Sequence, residues 1–318
     1  MAVDASIQAL DEPTGVERAQ ATQLIALART GRCELHLLSP APLPERWRAV
    51  PGVQCHDAGR GPVWFWRESV VPRLVRQLRA HVFHSPVAAL PMRAGVPLVA
   101  TVHEAPWAEA DDVPGDRSPS HRLRLLLASG LAARIVCPSA RTAAQIVGLH
   151  PDAEPRVRVV PHGLDPTLID QARQPRTRSQ LADELGFADE PFVLGVGRQR
   201  AKKAWPVLME AVARGHSGVP RQLVLAGPPG DASEALAARA AALDGRVHRV
   251  GHVTDAELAA LYVHAEVLAH PSPLEGFGLT PLEALACGTP VVVAAEGHVP
   301  EASGAAALTV TGDDPAHW

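Results

Sequence analysis

Lysine is almost absent from this chain: of 30 basic residues only Lys202 and Lys203 are lysine, and the rest are arginine. Together with abundant Ala, Pro and Gly this reads as genomic base-composition bias, and it makes two adjacent lysines a feature to be explained. Cysteine is scarce too. Cys33, Cys55, Cys137 and Cys287 lie far apart with no C-x-x-C pair, which excludes a disulfide framework and predicts reduced thiols in a cytosolic protein. Long hydrophobic runs are missing: the most apolar stretch, 123–138, is interrupted by Arg124 and Arg134 and is too short to span a bilayer. The N-terminus lacks the basic start and apolar centre of a signal peptide, so a soluble, cytoplasmic protein is expected. Charge of one sign is not in excess. The formal net charge is −4, which excludes a global attraction to nucleic acid.

What is present is ordinary globular material, 47% hydrophobic and 20% charged over 318 residues, a length that fits two domains at roughly 100–200 residues each. Short apolar, often β-branched runs at 35–38, 82–84, 97–103, 134–138 and 157–161 alternate with helical patterns at 16–29, 70–79, 120–133 and 140–147. The rhythm restarts at 192–196 and continues to 290–294. Strands alternating with helices predict parallel sheets covered on both faces. The expected division is a Rossmann-like domain at 1–165, a linker at 166–188 rich in Pro, Arg, Gln and Asp, and a second Rossmann-like domain at 189–318. Ligands of such sheets bind outside the carboxyl ends of the strands, so the strand-to-helix turns are where chemistry is sought.

The most informative turn lies in HPSPLEGFGLTPLEALACGTPVVVAAEGHVPE, residues 270–301. Two acids, Glu275 and Glu283, are separated by seven residues, and Gly276-Phe277-Gly278 follows the first. A Gly-rich turn running into a helix presents backbone N–H groups and the positive end of the helix dipole, a site for a diphosphate. The plainer reading is a capping box with Thr280 as N-cap, Pro281 at N1 and Glu283 at N3.

This segment resembles the E-x7-E signature of family 4 glycosyltransferases (group 1 glycosyl transferases), retaining enzymes of the GT-B fold. The resemblance extends through Gly195–Ala213, GVGRQRAKKAWPVLMEAVA, and more loosely through the N-terminal half. It implies two Rossmann-like domains facing across a cleft, with a nucleotide-diphosphate sugar against the C-terminal one. Carried over residue by residue, Arg198 and Lys203 would grip the donor diphosphate, with Lys202 beside them and Gly197 in the same turn. Fixed cations are what this chemistry needs, since negative charge grows on the departing phosphate. Glu275 would bind donor sugar hydroxyls and Glu283 the ribose, with Gly276, Phe277, Gly278 and Leu279 along the donor. Gly15 would approach the donor phosphates, and His103, at a strand's carboxyl end, would stand near the transferring sugar. His84 and Ser85 match a family element of undefined role, and His162 stands where many relatives have Asn.

The resemblance further implies a hexose donor, UDP-hexose or GDP-mannose with mannose preferred, and a glycan, lipid-linked or small-molecule acceptor. Leaving-group charge would be handled without a metal or cofactor: no D-x-D triplet occurs, and His81-x-x-His84 lacks the further ligands of a zinc site. Arg67, Arg73, Arg76, Arg79, Arg122 and Arg124 flank amphipathic segments and raise peripheral contact with the inner face of a membrane, against the plainer reading of solvated charged faces. Family members also continue past GDDPAHW to a helix that crosses back to the N-terminal domain. The resemblance therefore makes the C-terminal domain short by roughly 40–60 residues on typical domain sizes. That keeps open an inactive sugar-nucleotide-binding subunit or fragment that needs a partner chain. A nucleotide-sugar epimerase of similar architecture fits the Gly-Phe-Gly-Leu-Thr-Pro-Leu-Glu run less well.

Overall fold

A computed structural model describes the chain except residues 10–14, 60, 106–126, 128–129, 216–217 and 219–221. The chain forms two compact units, Met1–Gly163 and Leu164–Trp318.

The first unit is built on a seven-stranded sheet: β1 Ala2–Asp4, β2 Leu35–Ser39, β3 Val53–Asp57, β4 Phe83–Ser85, β5 Leu98–Thr101, β6 Ala132–Cys137 and β7 Val157–Val159. All neighbours are parallel, in the order β3-β2-β1-β4-β5-β6-β7. β2 reads LHLLS and is buried throughout, as a strand covered on both faces must be. Helices α1 Gly15–Arg29, α2 Val63–Ser69, α3 Val71–Gln77 and α4 Ala140–Leu149 accompany it. One cluster gathers Trp66, Val71, Val75 and Phe83; another gathers Val3, Leu24, Leu37 and Trp47.

The helix expected at 70–79 is present as α3, 71–77, and a further short helix, α2, precedes it with Val70 between them. Pro72, in the first turn of α3, has no N–H to continue a helix across the junction. Strands β1 and β3 carry little apolar signal: β1 has three residues, and β3, at the sheet edge, has only half-buried and exposed positions. Arg67 is not part of a basic face. It is buried, and its Nε donates to Asp4 Oδ2 at 2.6 Å. The helical reading at 120–133 lies mostly outside the described residues, as do Arg122 and Arg124; 132–133 open β6.

The second unit has a six-stranded parallel sheet: β8 Phe192–Val196, β9 Gln222–Ala226, β10 Val247–Gly251, β11 Val267–His270, β12 Val291–Ala294 and β13 Leu308–Val310, in the order β10-β9-β8-β11-β12-β13. Its helices are α5 Pro166–Ala172, α6 Arg178–Leu185, α7 Trp205–Arg214, α8 Ser233–Ala241, α9 Asp255–His264, α10 Leu279–Ala286 and α11 Val299–Ser303. The stretch 166–188 is thus more than a linker. It supplies α5 and α6, and Leu168, Leu181 and Ala182 enter the core of this unit beside Phe192 and Tyr262. Its polar composition misleads because α6 is specified by its ends, a Thr177–Gln180 capping box and Gly186 at φ 73°.

In both sheets the strand order reverses beside the first strand, between β1 and β4 and between β8 and β11. Those are the switch points at which α/β sheets hold ligands. No described helix is long and apolar enough to cross a membrane.

Candidate active site

In the second unit the turn after β8 is shaped by close approach. Gly197 has φ +146°, and a Cβ there would lie 3.0 Å from Lys203 Cε. The turn then forms a one-turn 3-10 helix, Ala201–Lys203, which brings Lys203 back over Gly197. It is stitched to the turn after β9: Arg198 Nη1 donates to Pro229 O at 3.0 Å, and the Ala201 N–H donates to Asp231 Oδ1 at 2.9 Å. Gln199 is buried and receives both Nε and Nη2 of Arg249 on its Oε1, at 3.1 and 2.5 Å.

Across the switch point, the turn after β11 carries Glu275. Its Oε1 lies 2.8 Å from Lys203 Nζ, both side chains being mostly buried at 17% and 12% exposure. The Ser272 hydroxyl stands 3.0 Å from the same oxygen and 2.9 Å from Lys202 O. Burial by itself would raise the Glu275 carboxyl, but Lys203, His270 and Lys202 outweigh it and hold the group at about 2. His270, the last residue of β11, is fully buried, with neither ring nitrogen hydrogen-bonded and Nε2 at 4.0 Å from Glu275 Oε1. Burial and then Lys203 lower its pKa to about 3, so the ring is neutral.

The capping box expected around Glu283 is absent. Helix α10 begins two residues earlier, with Gly278 as N-cap at φ 98° and no side-chain cap. Thr280 and Pro281 sit inside the first turn. A Cβ at Gly278 would meet Val299 Cγ1 at 3.0 Å, so only glycine serves both the left-handed backbone and the contact with α11. Glu283, 9% exposed, faces inward instead and accepts from the Tyr262 hydroxyl at 2.8 Å.

The first unit holds a separate group. Gly15 opens α1, and a Cβ on it would meet nothing within 4 Å. His103, just beyond β5, has Nδ1 3.1 Å from His162 Nε2 and Nε2 2.8 Å from Pro86 O. His162 Nδ1 in turn lies 3.0 Å from Gln23 Nε2, and His84 Nε2 lies 2.8 Å from Thr101 Oγ1. Burial lowers all three imidazoles, with His84 and His162 falling to about 4.

Within the second unit the structure therefore joins Gly197, Lys203 and Glu275, with Arg198 and Lys202 in the same turn and Glu283 on the following helix. Ser272, His270, Tyr262, Gln199 and Gln23 escaped the sequence reading. Only Tyr262 carried a signal, as the one tyrosine of the chain. The others are common polar residues that gain meaning from the neighbours folding gives them. Among the described residues, no group of three or more His, Cys, Asp or Glu side chains is arranged to hold a metal ion.

Both units match known protein families. The family described as glycosyl transferases group 1 matches residues 177–313, and glycosyltransferase family 4 matches 13–168. A D-inositol 3-phosphate glycosyltransferase 1 of Catenulispora acidiphila is 29% identical over 92% of this chain and 77% of its own. The D-inositol 3-phosphate glycosyltransferase of an Arthrobacter species is 30% identical over 84% of this chain and 70% of its own. Among solved structures, Anabaena Alr3699/HepE in complex with UDP and glucose superposes with a TM-score of 0.73 at 19% identity, covering 99% of this chain and 86% of that one.

Proposed function

The chain belongs to the family 4, group 1 glycosyltransferases, and from that premise we propose that it moves a hexosyl residue from a nucleoside-diphosphate sugar with retention of configuration and without a metal. The observation that carries this reading is the cluster at the β8/β11 switch point, where Lys203 Nζ meets Glu275 Oε1 at 2.8 Å with Arg198 in the same turn. Lys203 and Arg198 would supply the positive charge that a departing diphosphate requires. Glu275, fully ionised, would accept hydrogen bonds from sugar hydroxyls, and Glu283, steadied by Tyr262, from the ribose. His103 is assigned to the transferring sugar from the family resemblance.

In the proposed reaction the bond from the anomeric carbon to the diphosphate oxygen breaks, and a bond from the same carbon to the acceptor oxygen forms on the same face. The acceptor proton passes to the leaving diphosphate. A UDP-hexose or GDP-mannose is the donor class, with mannose preferred from the resemblance; the structural neighbour that binds UDP supports a uracil nucleotide. The acceptor class is a glycan, lipid-linked or small-molecule acceptor, and the relatives named for D-inositol 3-phosphate support a cyclitol phosphate among the small molecules. Peripheral membrane contact is part of the proposal. Trp64 and Phe65 at the start of α2 are 68% and 49% exposed, Met92 is 59% exposed, and Arg73, Arg76 and Arg79 are exposed on and just after α3.

The test is to incubate the chain with UDP-glucose and GDP-mannose, each with D-inositol 3-phosphate, with and without EDTA, and to follow the anomeric proton by NMR. An axial product from an axial donor, unaffected by EDTA, is expected. An inverted product or a strict divalent-metal requirement refutes the mechanism, and absence of turnover with every donor and acceptor class refutes the function.

A further inference from the structure

Gln23, His162, His103 and the Pro86 carbonyl are joined end to end: Nε2 to Nδ1 at 3.0 Å, Nε2 to Nδ1 at 3.1 Å, and Nε2 to O at 2.8 Å. A carbonyl oxygen accepts and never donates, so the direction of the chain is decided from the Pro86 end. His103 must carry its proton on Nε2. In a neutral ring that leaves Nδ1 as an acceptor, so His162 must donate from its own Nε2. His162 Nδ1 is then an acceptor, which is what the Gln23 amide N–H requires. One assignment of protons satisfies all three bonds. The reverse assignment places the His103 Nε2 lone pair against the Pro86 carbonyl lone pairs at 2.8 Å.

We infer that Gln23 and His162 are positioning residues that hold His103 as the neutral Nε2–H tautomer, a hydrogen-bond donor to an oxygen of the transferring sugar and not a base for the acceptor. This rests on the proposed function for the role of His103; the proton assignment itself does not. The rings of His103 and His162 are tilted by 30° with centroids 5.2 Å apart, and each is bonded through both nitrogens, so a swing of either imidazole breaks a bond. A second proton on His103 would set N–H against N–H across the 3.1 Å contact with His162, and one on His162 would do so across the 3.0 Å contact with the Gln23 amide. Burial opposes that proton more than the nearby Glu104 and Glu17 favour it on His103, and the neighbouring His103 opposes it further on His162. On leaving Pro86 for a sugar oxygen, the Nε2–H keeps its direction, because His162 still donates from the other side.

The tautomers are read directly on the full chain labelled with 15N-histidine. Long-range 1H–15N correlation is assigned with His103→Gln and His162→Gln. Protonated Nε2 and bare Nδ1 are expected on both rings, with a scalar coupling between His162 Nε2 and His103 Nδ1. Kinetically, His162→Phe keeps a ring without a donor and should lower kcat about tenfold, the scale of one hydrogen bond, with the donor KM within about twofold. His162→Gln, whose amide can both donate and accept, should recover most of that loss, and Gln23→Leu should lower kcat to a lesser extent. A proton on His103 Nδ1, no coupling, an unchanged kcat in His162→Phe, or a Gln variant no better than Phe each overturns the relay. If the parent chain turns over no sugar nucleotide, the function falls while the NMR tautomers still uphold or overturn the relay.

Discussion

Lys203 and Glu275 neutralise one another at 2.8 Å while each is assigned to a different part of the donor. Removing only the lysine leaves a mostly buried carboxylate without its cation, a change that costs several kcal/mol in buried pairs. Lys203→Ala should therefore lower both the melting temperature and turnover, the latter by about 10²–10³, as for a lost transition-state donor. Adding Glu275→Gln should return much of the stability and none of the activity. Calorimetry and kinetics on the two single variants and the double variant separate these effects; recovery of turnover in the double variant would remove both residues from the site. Tyr262→Phe is a milder case. It deletes the 2.8 Å bond to Glu283 and should weaken donor binding by about 1 kcal/mol, visible in KM and absent from kcat. An unchanged KM would show that Glu283 does not need the tyrosine.

At the level of elements, the β8–α7 turn depends on backbone conformation as much as on its charges. Gly197→Ala would place a methyl group 3.0 Å from Lys203 Cε at φ +146°, costing about 1–3 kcal/mol in strain and displacing the ammonium. Donor affinity should fall with stability. Gly186→Ala is the control: its φ is +73° but nothing lies within 4 Å of the added carbon. Stability should drop there and donor affinity stay constant. If both variants lose affinity alike, the effect belongs to the unit as a whole and not to the turn. Helix α2 supplies a second case. Its Trp66 is fully buried and donates to Ala58 O at 2.6 Å, while neighbouring Trp64 is 68% exposed. Trp64→Ser should leave folding unchanged and reduce sedimentation with anionic vesicles; equal sedimentation would remove α2 from the proposed membrane contact.

For the whole molecule, acid should act unevenly on the two units. His84 and His162 fall to about 4 from an ordinary 6.5, and His103 shifts the same way, all in the first unit. Their neutral forms are favoured by folding, so the unfolded chain binds more protons as pH falls below 6.5. Stability present above that pH is then lost toward about 4, with a slope approaching roughly 1.4 kcal/mol per pH unit for each histidine. In the second unit His270 behaves likewise, its contribution lost toward about 3, and the depressed pKa of Glu275 adds stability above 4.5 that is lost as pH falls toward about 2. Calorimetric scans between pH 7 and pH 4 should show the transition of the first unit falling more steeply. Parallel shifts of both transitions would contradict this assignment.

Much of this was legible in the residues alone. Alternating apolar runs and helical periods determine two parallel α/β sheets, because a strand covered on both faces must be apolar and its crossover must be amphipathic. The spacing of Glu275 and Glu283, and two lysines in an arginine chain, single out the turns after β8 and β11. Tertiary structure decided the rest. It turned 166–188 into core helices, since polar composition hides Leu168 and Leu181. It tied Arg67 to Asp4 across 63 positions of chain, and made Gly278 the N-cap of α10, where Val299, distant in sequence, would crowd any added Cβ. It also set Gln23, His162 and His103 in one line. No local pattern encodes that line: a hydrogen bond is defined by positions in space, and these residues meet only when α1 and the ends of β5 and β7 are brought together by the sheet.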